Sequence, residues 1–294
     1  MTTPRTLLNG WRIQAKKQLG QNFLNDPSVA EMIVRRAGIA PEEVVVEIGA
    51  GMGALTLPVS RCCKKVYAIE KDPRLIPLLK AELLSNRISN VIIIENNALT
   101  FDFIEISEQE KCPVMVIGNL PYNISSQVLI RLIHARKGID RAVLMFQKEL
   151  AQRLMAQPGI KDYGRLSVMI QYCAEVGKLA EVKANLFFPR PKVDSEVLTI
   201  KFHQSLRYPV NDEIFFHQVV KAAFGQRRKT LKNALAGSLP ASDRETVARI
   251  LDETGIDPNR RAETLSVENF VRLAARLKAQ FGLGPNSGQE QLWS

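Results

Sequence analysis

One short segment near residue 50 limits the folds open to this chain more than any other. Val44–Ile48 is a β-branched run that predicts a buried strand, and it leads directly into the glycine-rich loop Gly49–Gly53. Glycine is needed where backbone turns tightly and approaches a ligand without a Cβ in the way. Glu70 ends the next predicted strand, where a carboxylate can accept hydrogen bonds from ribose hydroxyls. Together these features indicate a site for an adenosine-containing cofactor.

This segment does not choose the cofactor by itself. Gly49, Gly51 and Ala54 also fit the spacing of the dinucleotide-binding fingerprint. NAD and S-adenosylmethionine therefore both remain open at this point. A glycine-rich turn that binds no ligand is the structural alternative.

Strands and helices alternate through the first part of the chain, and this pattern predicts a parallel sheet covered by helices on both faces. The predicted strands lie at 44–48, 66–70, 91–95, 114–117, 141–146 and 197–202. The remainder is predicted to be helical at 215–236, 243–254 and 267–281. We therefore predict an α/β domain over residues 1–205, a small all-helical domain over 206–282 and a disordered tail over 283–294.

Composition restricts the partners of the chain. Lys and Arg total 40 against 30 for Asp and Glu, and a net charge of +10 favours polyanions, chiefly nucleic acid or an anionic membrane surface. We expect nucleic acid, against the alternative that the charge serves solubility alone. No apolar run approaches the roughly 20 residues that cross a bilayer, and no signal core precedes the domain, so we expect a cytoplasmic protein. The four cysteines stand in no metal-binding spacing, so we expect reduced thiols and no metal.

The tetrapeptide Asn119–Tyr122 follows the fourth strand, where ligands bind in sheets of this kind. An adenine amine is a poor nucleophile because its lone pair is delocalised into the ring. Two acceptors, the Asn119 side-chain oxygen and the carbonyl of Leu120 or Pro121, would localise that lone pair. Tyr122 offers a flat face on which an extracted base can stack. The tetrapeptide favours methyl transfer to adenine N6, against the alternative of an ordinary turn.

The chain resembles the small-subunit ribosomal RNA adenine dimethyltransferases, relatives of the erythromycin-resistance methyltransferases. Four motifs carry the resemblance, in order: Lys17–Leu24, Val46–Gly53, Asn119–Tyr122 and Phe187–Ser195. It implies a Rossmann-like class I methyltransferase domain with a mainly parallel seven-stranded sheet. It also implies S-adenosylmethionine as methyl donor and dimethylation of two adjacent adenosines near the 3′ end of 16S rRNA, in the 30S subunit or its precursor. A role in small-subunit biogenesis follows, and we expect a monomer.

The resemblance further implies roles for single residues. The implied cofactor contacts are Asn22, Leu24, Gly49, Gly51, Glu70, Asn97 and Asn119. Asn97 departs from the family, which usually has Asp there to accept from the amino group of the cofactor adenine. Asn97 keeps an acceptor oxygen, so we expect cofactor binding to be retained. Phe187 is implied as a second aromatic contact on the target base and Phe188 as packing, although the residues alone favour packing for both.

Two groups of cations are predicted to contact RNA phosphates and to give salt-dependent binding. Arg12, Lys16 and Lys17 are expected beside the active-site mouth. Lys221, Arg228 and Lys232 are expected on one face of the helix predicted at 215–236. A solvated helix face is the alternative for this second group.

Three other functions stay open. The nearest is a large-subunit rRNA methyltransferase of the resistance type. A non-enzymatic RNA-binding or assembly factor with a vestigial pocket is the second, although intact Gly49, Glu70, Asn119 and Tyr122 argue against it. An NAD-dependent oxidoreductase is the third, and we expect neither a catalytic histidine nor a Tyr-x-x-x-Lys pattern to support it. The sequence leaves open which nucleotides are modified and how many methyl groups each receives.

Overall fold

The computed structural model describes residues 3–226, 228–238 and 243–281, so the tail predicted at 283–294 lies outside the described residues. The described chain forms two compact units. The first takes its residues from Met1–Ala151 and Glu175–Phe202. The second takes its residues from Gln152–Ala174 and His203–Ser294. The predicted boundary at residue 205 lies close to the division after Phe202, but it misplaces Gln152–Ala174, which belongs with the helices of the second unit.

The first unit is built around a seven-stranded sheet. The strands, in chain order, are β1 (Phe23–Leu24), β2 (Val44–Ile48), β3 (Lys65–Glu70), β4 (Val91–Glu95), β5 (Val114–Asn119), β6 (Ile139–Gln147), β7 (Ala174–Val182), β8 (Phe187–Phe188) and β9 (Ser195–Phe202). The helices are α1 (Pro4–Gly10), α2 (Pro27–Ala37), α3 (Thr56–Ser60), α4 (Ile76–Ser85), α5 (Phe103–Glu110), α6 (Ser125–Ala135), α7 (Lys148–Met155), α8 (Arg165–Cys173), α9 (Glu213–Gly225), α10 (Leu231–Leu235), α11 (Arg244–Glu253) and α12 (Val267–Phe281).

The strand order β4-β3-β2-β5-β6-β9-β7 is parallel from β4 to β6, and β9 runs antiparallel to β6. All five residues of β2 are buried, as expected for a strand covered on both faces. Strands β1 and β8 form a separate two-stranded antiparallel sheet. The predicted fold class, a mainly parallel seven-stranded α/β sheet with a helical C-terminal part, is confirmed.

The order of the strands decides where a ligand can bind. From β2 the chain builds outward through β3 and β4, then crosses to the other side of β2 to form β5 and β6. The carboxyl ends of β2 and β5 therefore meet at a topological switch point, the usual crevice for ligands. The register pairs Ile48 with Gly118, so the glycine loop after β2 lies beside the tetrapeptide that begins at Asn119.

The second unit is helical. Helix α9 packs against α8, α10 and α12, and the rings of Tyr172 and Phe216 lie 4.6 Å apart between α8 and α9. This packing is the reason that α8 belongs to the second unit. The single helix predicted at 215–236 is wrong, because α9 ends at Gly225 and α10 begins after Thr230, whose backbone is extended. Glycine is a weak helix former, and an extended residue stops the helical hydrogen-bond pattern. The described helices include none with the length and apolar character that a membrane span requires.

Candidate active site

A cavity opens at the carboxyl ends of β2, β3, β4 and β5. Its empty space, with the open mouth included, is about 890 Å³. Its lining comes from segments 18–23, 48–51, 69–75, 96–98 and 119–124. Each of the last four segments lies at or just beyond the carboxyl end of a parallel strand, so the sheet topology assembles this site from distant parts of the sequence.

Most of the predicted cofactor contacts line this cavity: Asn22, Gly49, Gly51, Glu70, Asn97 and Asn119. Leu24 does not, since it is 2% exposed and lines a smaller neighbouring cavity together with Gly49 and Gly51. The Asn97 side-chain oxygen accepts from the Leu99 N–H at 3.2 Å, which leaves it one further lone pair for a ligand.

The glycine loop and Glu70 are joined by hydrogen bonds. Gly51 has a φ of +56°, a conformation that favours glycine, and its N–H donates to Glu70 Oε2 at 2.7 Å. The Asp72 N–H donates to Glu70 Oε1, also at 2.7 Å. Burial raises the pKa of the Glu70 carboxyl, while these backbone bonds oppose the rise. Both oxygens are therefore held in fixed positions at the cavity wall.

The side chain of Asn119 is held in one direction. Its Nδ2 donates to the Asn22 carbonyl at 2.8 Å, and the Asn22 side chain donates in turn to the Gly20 carbonyl at 3.1 Å. Because the amide nitrogen is used in this way, the Asn119 Oδ1 is the atom left to accept a hydrogen bond within the cavity.

Hydrogen bonds in the segment after Asn119 show which of the two candidate carbonyls, that of Leu120 or that of Pro121, can accept a bond from a ligand. The Pro121 carbonyl accepts from the Ile124 N–H at 3.1 Å and from Ser125 Oγ at 2.9 Å, which uses both of its lone pairs. The Leu120 carbonyl has no hydrogen bond to another described residue. The Leu120 carbonyl is therefore the available backbone acceptor.

Tyr122 is half-buried at the cavity wall, and its position depends on a residue to which the sequence assigned no role. The Tyr122 hydroxyl and Ser195 Oγ lie 2.7 Å apart, and Ser195 is fully buried at the start of β9. Burial raises the pKa of the Tyr122 hydroxyl. Ser195 closes the fourth motif, but only the tertiary structure shows that it fixes the tyrosine ring.

Phe187 is not brought to the cavity. It is 4% exposed, pairs with Leu24 between β8 and β1, and belongs to the hydrophobic core of the first unit. Phe188 is half-buried and packs against a small apolar cluster that includes Leu8 and Met52. The observed burial is that of a packing residue, so the contact of Phe187 with a target base stays a prediction.

A buried carboxylate that the sequence did not indicate ties the N-terminal segment to the end of β3. Asp72 accepts hydrogen bonds from Gln21 Nε2 at 2.9 Å and from Arg74 Nη2 at 2.6 Å, and Lys16 Nζ lies 3.9 Å away. The hydrogen bonds from Arg74 lower the pKa of Asp72 to about 2. No local pattern could have found this contact, because Gln21 and Asp72 lie 51 residues apart.

The cations predicted to contact RNA fall into both units. In the first unit, Arg12 is exposed with a φ of +53°, Lys16 is 47% exposed, and Lys17 begins a short 3-10 helix. In the second unit, Lys221 lies on α9, Lys232 on α10 and exposed Arg228 between them. The predicted shared helix face is therefore wrong, because the helix that would carry it is interrupted.

The oxidoreductase alternative finds little support at this site. The expectation that the chain has no Tyr-x-x-x-Lys pattern is wrong, because Tyr67 and Lys71 have that spacing. Tyr67 is nevertheless 2% exposed, and its hydroxyl donates to Glu110 at 2.5 Å. Lys71 lines the cavity without it. Within the described residues, no group of three or more His, Cys, Asp or Glu side chains could hold a metal ion.

Comparison with known proteins places this site in context. A family model described as ribosomal RNA adenine dimethylase matches residues 12–278. A ribosomal RNA small subunit methyltransferase A from Desulforapulum autotrophicum is 50% identical over 282 residues, covering 96% of this chain and 99% of that protein. One of the same name from Bacillus thuringiensis is 45% identical over 267 residues, covering 89% of this chain and 91% of that protein.

Two solved structures are also similar. A dimethyladenosine transferase from Plasmodium falciparum aligns with a TM-score of 0.75 and 27% identity, over 89% of this chain and 98% of that one. The 23S rRNA methyltransferase ErmE aligns with a TM-score of 0.65 and 26% identity, over 87% of this chain and 99% of that one.

Proposed function

Because the chain belongs to the ribosomal RNA adenine dimethylase family, we propose that it transfers methyl groups from S-adenosylmethionine to adenine N6 in small-subunit ribosomal RNA. The observation that carries this proposal is Asn119, whose amide oxygen is free at the switch point beside the glycine loop. The finer proposal is dimethylation of two adjacent adenosines near the 3′ end of 16S rRNA. The substrate is the 30S subunit or its precursor. The enzyme is a cytoplasmic monomer, and it also takes part in small-subunit biogenesis.

The cavity fits S-adenosylmethionine by the chemistry of its lining. Glu70 presents a fixed carboxylate suited to ribose hydroxyls. The glycine loop has no Cβ atoms at its glycines, so a ligand can approach its backbone closely. Ile69 and Leu75 supply apolar surface suited to an adenine ring, and Asn97 supplies an acceptor beside them. When bound, the cofactor supplies an electrophilic sulfonium methyl group.

The protein's own part in the reaction is positioning. In the first methyl transfer, the Asn119 Oδ1 and the Leu120 carbonyl accept hydrogen bonds from the two N–H groups of the target amine and so localise its lone pair. In the second transfer, the single remaining N–H can bond to one of these two acceptors. Tyr122, held by Ser195, stacks on the base and presents N6 to the methyl donor. No strong base is required, because the amine proton becomes acidic once nitrogen gains its new bond and can pass to water.

The decisive experiment measures methyl transfer from radiolabelled S-adenosylmethionine to purified, unmethylated 30S subunits, followed by digestion of the RNA to nucleosides. We expect label in N6,N6-dimethyladenosine from small-subunit RNA. Label only in large-subunit RNA would instead assign the resistance-type activity, which the likeness to ErmE makes the second candidate. Tight subunit binding without any label would assign a non-enzymatic assembly factor.

A further inference from the structure

The loop of residues 189–193, which we term the proline loop, carries two cations that the site described above does not use. Arg190 and Lys192 are exposed, as is Val193, which is 44% exposed. Neither cation has a hydrogen bond or ion pair to any residue in the described part of the chain. Lys183 nearby is different, since its Nζ lies 2.6 Å from Glu181 and 3.1 Å from Asp194.

Both ends of the proline loop are attached to the cavity wall. Before the loop, Phe188 pairs with Phe23 in the two-stranded sheet, and Phe23 lines the cavity. After the loop, Ser195 holds the hydroxyl of Tyr122, which also lines the cavity. Along the chain, the two cations are therefore only a few residues from Phe188 and Ser195, which contact the wall where the target base is proposed to stack.

The loop is also restrained in itself. Pro189 and Pro191 each fix one backbone φ angle. Asp194, at the end of the loop, accepts from the Ala184 N–H at 2.9 Å, and its carbonyl accepts from the Lys148 N–H at 3.0 Å. Because the loop loses little conformational freedom on binding, the cations at Arg190 and Lys192 are presented at low entropic cost.

We propose that the proline loop is a docking surface for RNA phosphates next to the adenosine that enters the cavity. An arginine can contact a phosphate through two parallel hydrogen bonds, and a lysine adds a point charge beside it. The inference deepens the proposed function and rests on it for the identity of the base. The net charge of +10 makes a polyanion the favoured partner for unpaired cations at this place.

The test compares the double variant Arg190→Ala/Lys192→Ala with Lys201→Ala. Lys201 is an exposed cation of β9 near the end of the strand opposite Ser195, and it too has no partner among the described residues. Binding to unmethylated small-subunit RNA is measured over a range of salt concentrations, together with the affinity for S-adenosylmethionine. Because the double variant should leave two single-strand phosphates without a cation, the slope of log affinity against log salt should fall by about 1.4 and binding should weaken roughly tenfold. Lys201→Ala should leave RNA affinity and its salt slope at the parent values. Neither variant should change the affinity for S-adenosylmethionine.

An unchanged salt slope in the double variant overturns the proposal, as does an equal change in Lys201→Ala. The proposal is also overturned if the double variant binds phosphatidylserine vesicles more weakly than the parent while its RNA salt slope is unchanged. That result would assign the surface to a membrane. The slope is read from binding alone, so it is independent of methyl transfer. If the double variant loses RNA affinity but the parent protein transfers no methyl group, the proposed function is refuted and the docking surface is retained.

Discussion

At the residue scale, the direction of one amide group decides what the cavity can do. Asn119 has a donor and an acceptor of similar size, and the bond from its Nδ2 to the Asn22 carbonyl leaves its oxygen as the available acceptor at the cavity. The amide oxygen can accept a hydrogen bond from the amine of adenine. The amide NH₂ group is a donor, so it could not accept that bond. In the proposed reaction, the N-terminal segment that supplies Asn22 therefore orients Asn119 without touching the reacting atoms.

We expect Asn119→Ala to lower kcat by about 100-fold, the effect of losing one preorganised polar group, while cofactor affinity changes far less. Single-turnover methyl transfer and equilibrium binding of S-adenosylmethionine separate the two quantities. Asn123→Ala is the matched control, because Asn123 lines the same cavity and donates to the Gln18 carbonyl at 3.3 Å. An equal fall in turnover and cofactor affinity would reduce Asn119 to a binding residue.

Glu47 gives a pH-dependent prediction for stability. It is 1% exposed on β2, one carboxylate oxygen has no partner among the described residues, and burial raises its pKa to about 8. Its pKa when unfolded is about 4.3, so the folded state binds the extra proton and the unfolding free energy falls as pH rises, by up to about 1.4 kcal/mol per unit. We expect Glu47→Gln to gain stability relative to the parent between about pH 5 and pH 8. Urea unfolding at each pH measures this, and parallel profiles would contradict it.

Phe187 can be tested without emptying the core. Phe187→Leu keeps an apolar side chain at a site that is 4% exposed but removes the ring. If the ring contacts the target base, RNA-dependent methyl transfer should weaken by about 1–3 kcal/mol, the usual contribution of base stacking. Unfolding free energy is measured in parallel, with Phe188→Leu as control. Full activity in Phe187→Leu would leave this residue a packing role only.

At the element scale, the site depends on a segment outside the large sheet. Residues 18–23 line the cavity, yet they precede the first strand of that sheet. One of their attachments is the set of hydrogen bonds and ion pairs around Asp72, which joins Gln21, Arg74 and Lys16 at the end of β3. Polar contacts around a buried carboxylate therefore help to hold this wall of the cavity in place.

Asp72→Asn should loosen this wall. The variant loses the charge that attracts Arg74 and Lys16, so we expect the KM for S-adenosylmethionine to rise about tenfold, an effect of about 1.4 kcal/mol, with a smaller change in kcat. Asp102→Asn is the control, because Asp102 caps α5 away from the cavity. Limited proteolysis within residues 11–22 provides a second readout. An unchanged KM with only lower stability would make Asp72 a structural residue.

At the scale of the whole molecule, the surplus of ten positive charges is shared by two units. Arg12 and Lys16 belong to the first unit, and Lys221, Arg228 and Lys232 belong to the second. A polyanion that contacts several of them releases counterions from each phosphate, so binding should depend steeply on salt.

We expect Arg228→Glu/Lys232→Glu to weaken RNA binding and to lower its salt slope by about 0.7–0.9 for each phosphate that the variant no longer neutralises. The same double charge reversal at Arg87 and Lys80, on or just beyond α4, controls for net charge. Binding to unmethylated 30S subunits is titrated at several salt concentrations. A slope equal to that of the parent would exclude α10 and the segment before it from RNA binding.

Much of the architecture could be predicted from local pattern. The buried strands at the sheet centre are short β-branched runs, and the glycine loop and Glu70 stand at positions that only a strand–turn–helix unit explains. Strand β7 escapes such prediction because it is an edge strand, in which charged residues and Gly177 hide the apolar alternation. The linear boundary at residue 205 places α8 in the wrong unit, because the burial of α8 comes from α9, far along the sequence.

Residue types alone establish the class of site, because they carry the backbone requirements at Gly49 and Gly51 and the chemistry of Asn119. The orientation of the groups within that site depends instead on the three-dimensional fold. The free oxygen of Asn119, the choice of the Leu120 carbonyl, the buried partner of Tyr122 and the withdrawal of Phe187 into the core all follow from contacts between distant segments. Such contacts carry no local pattern, since they are set by strand order and register rather than by neighbouring residues.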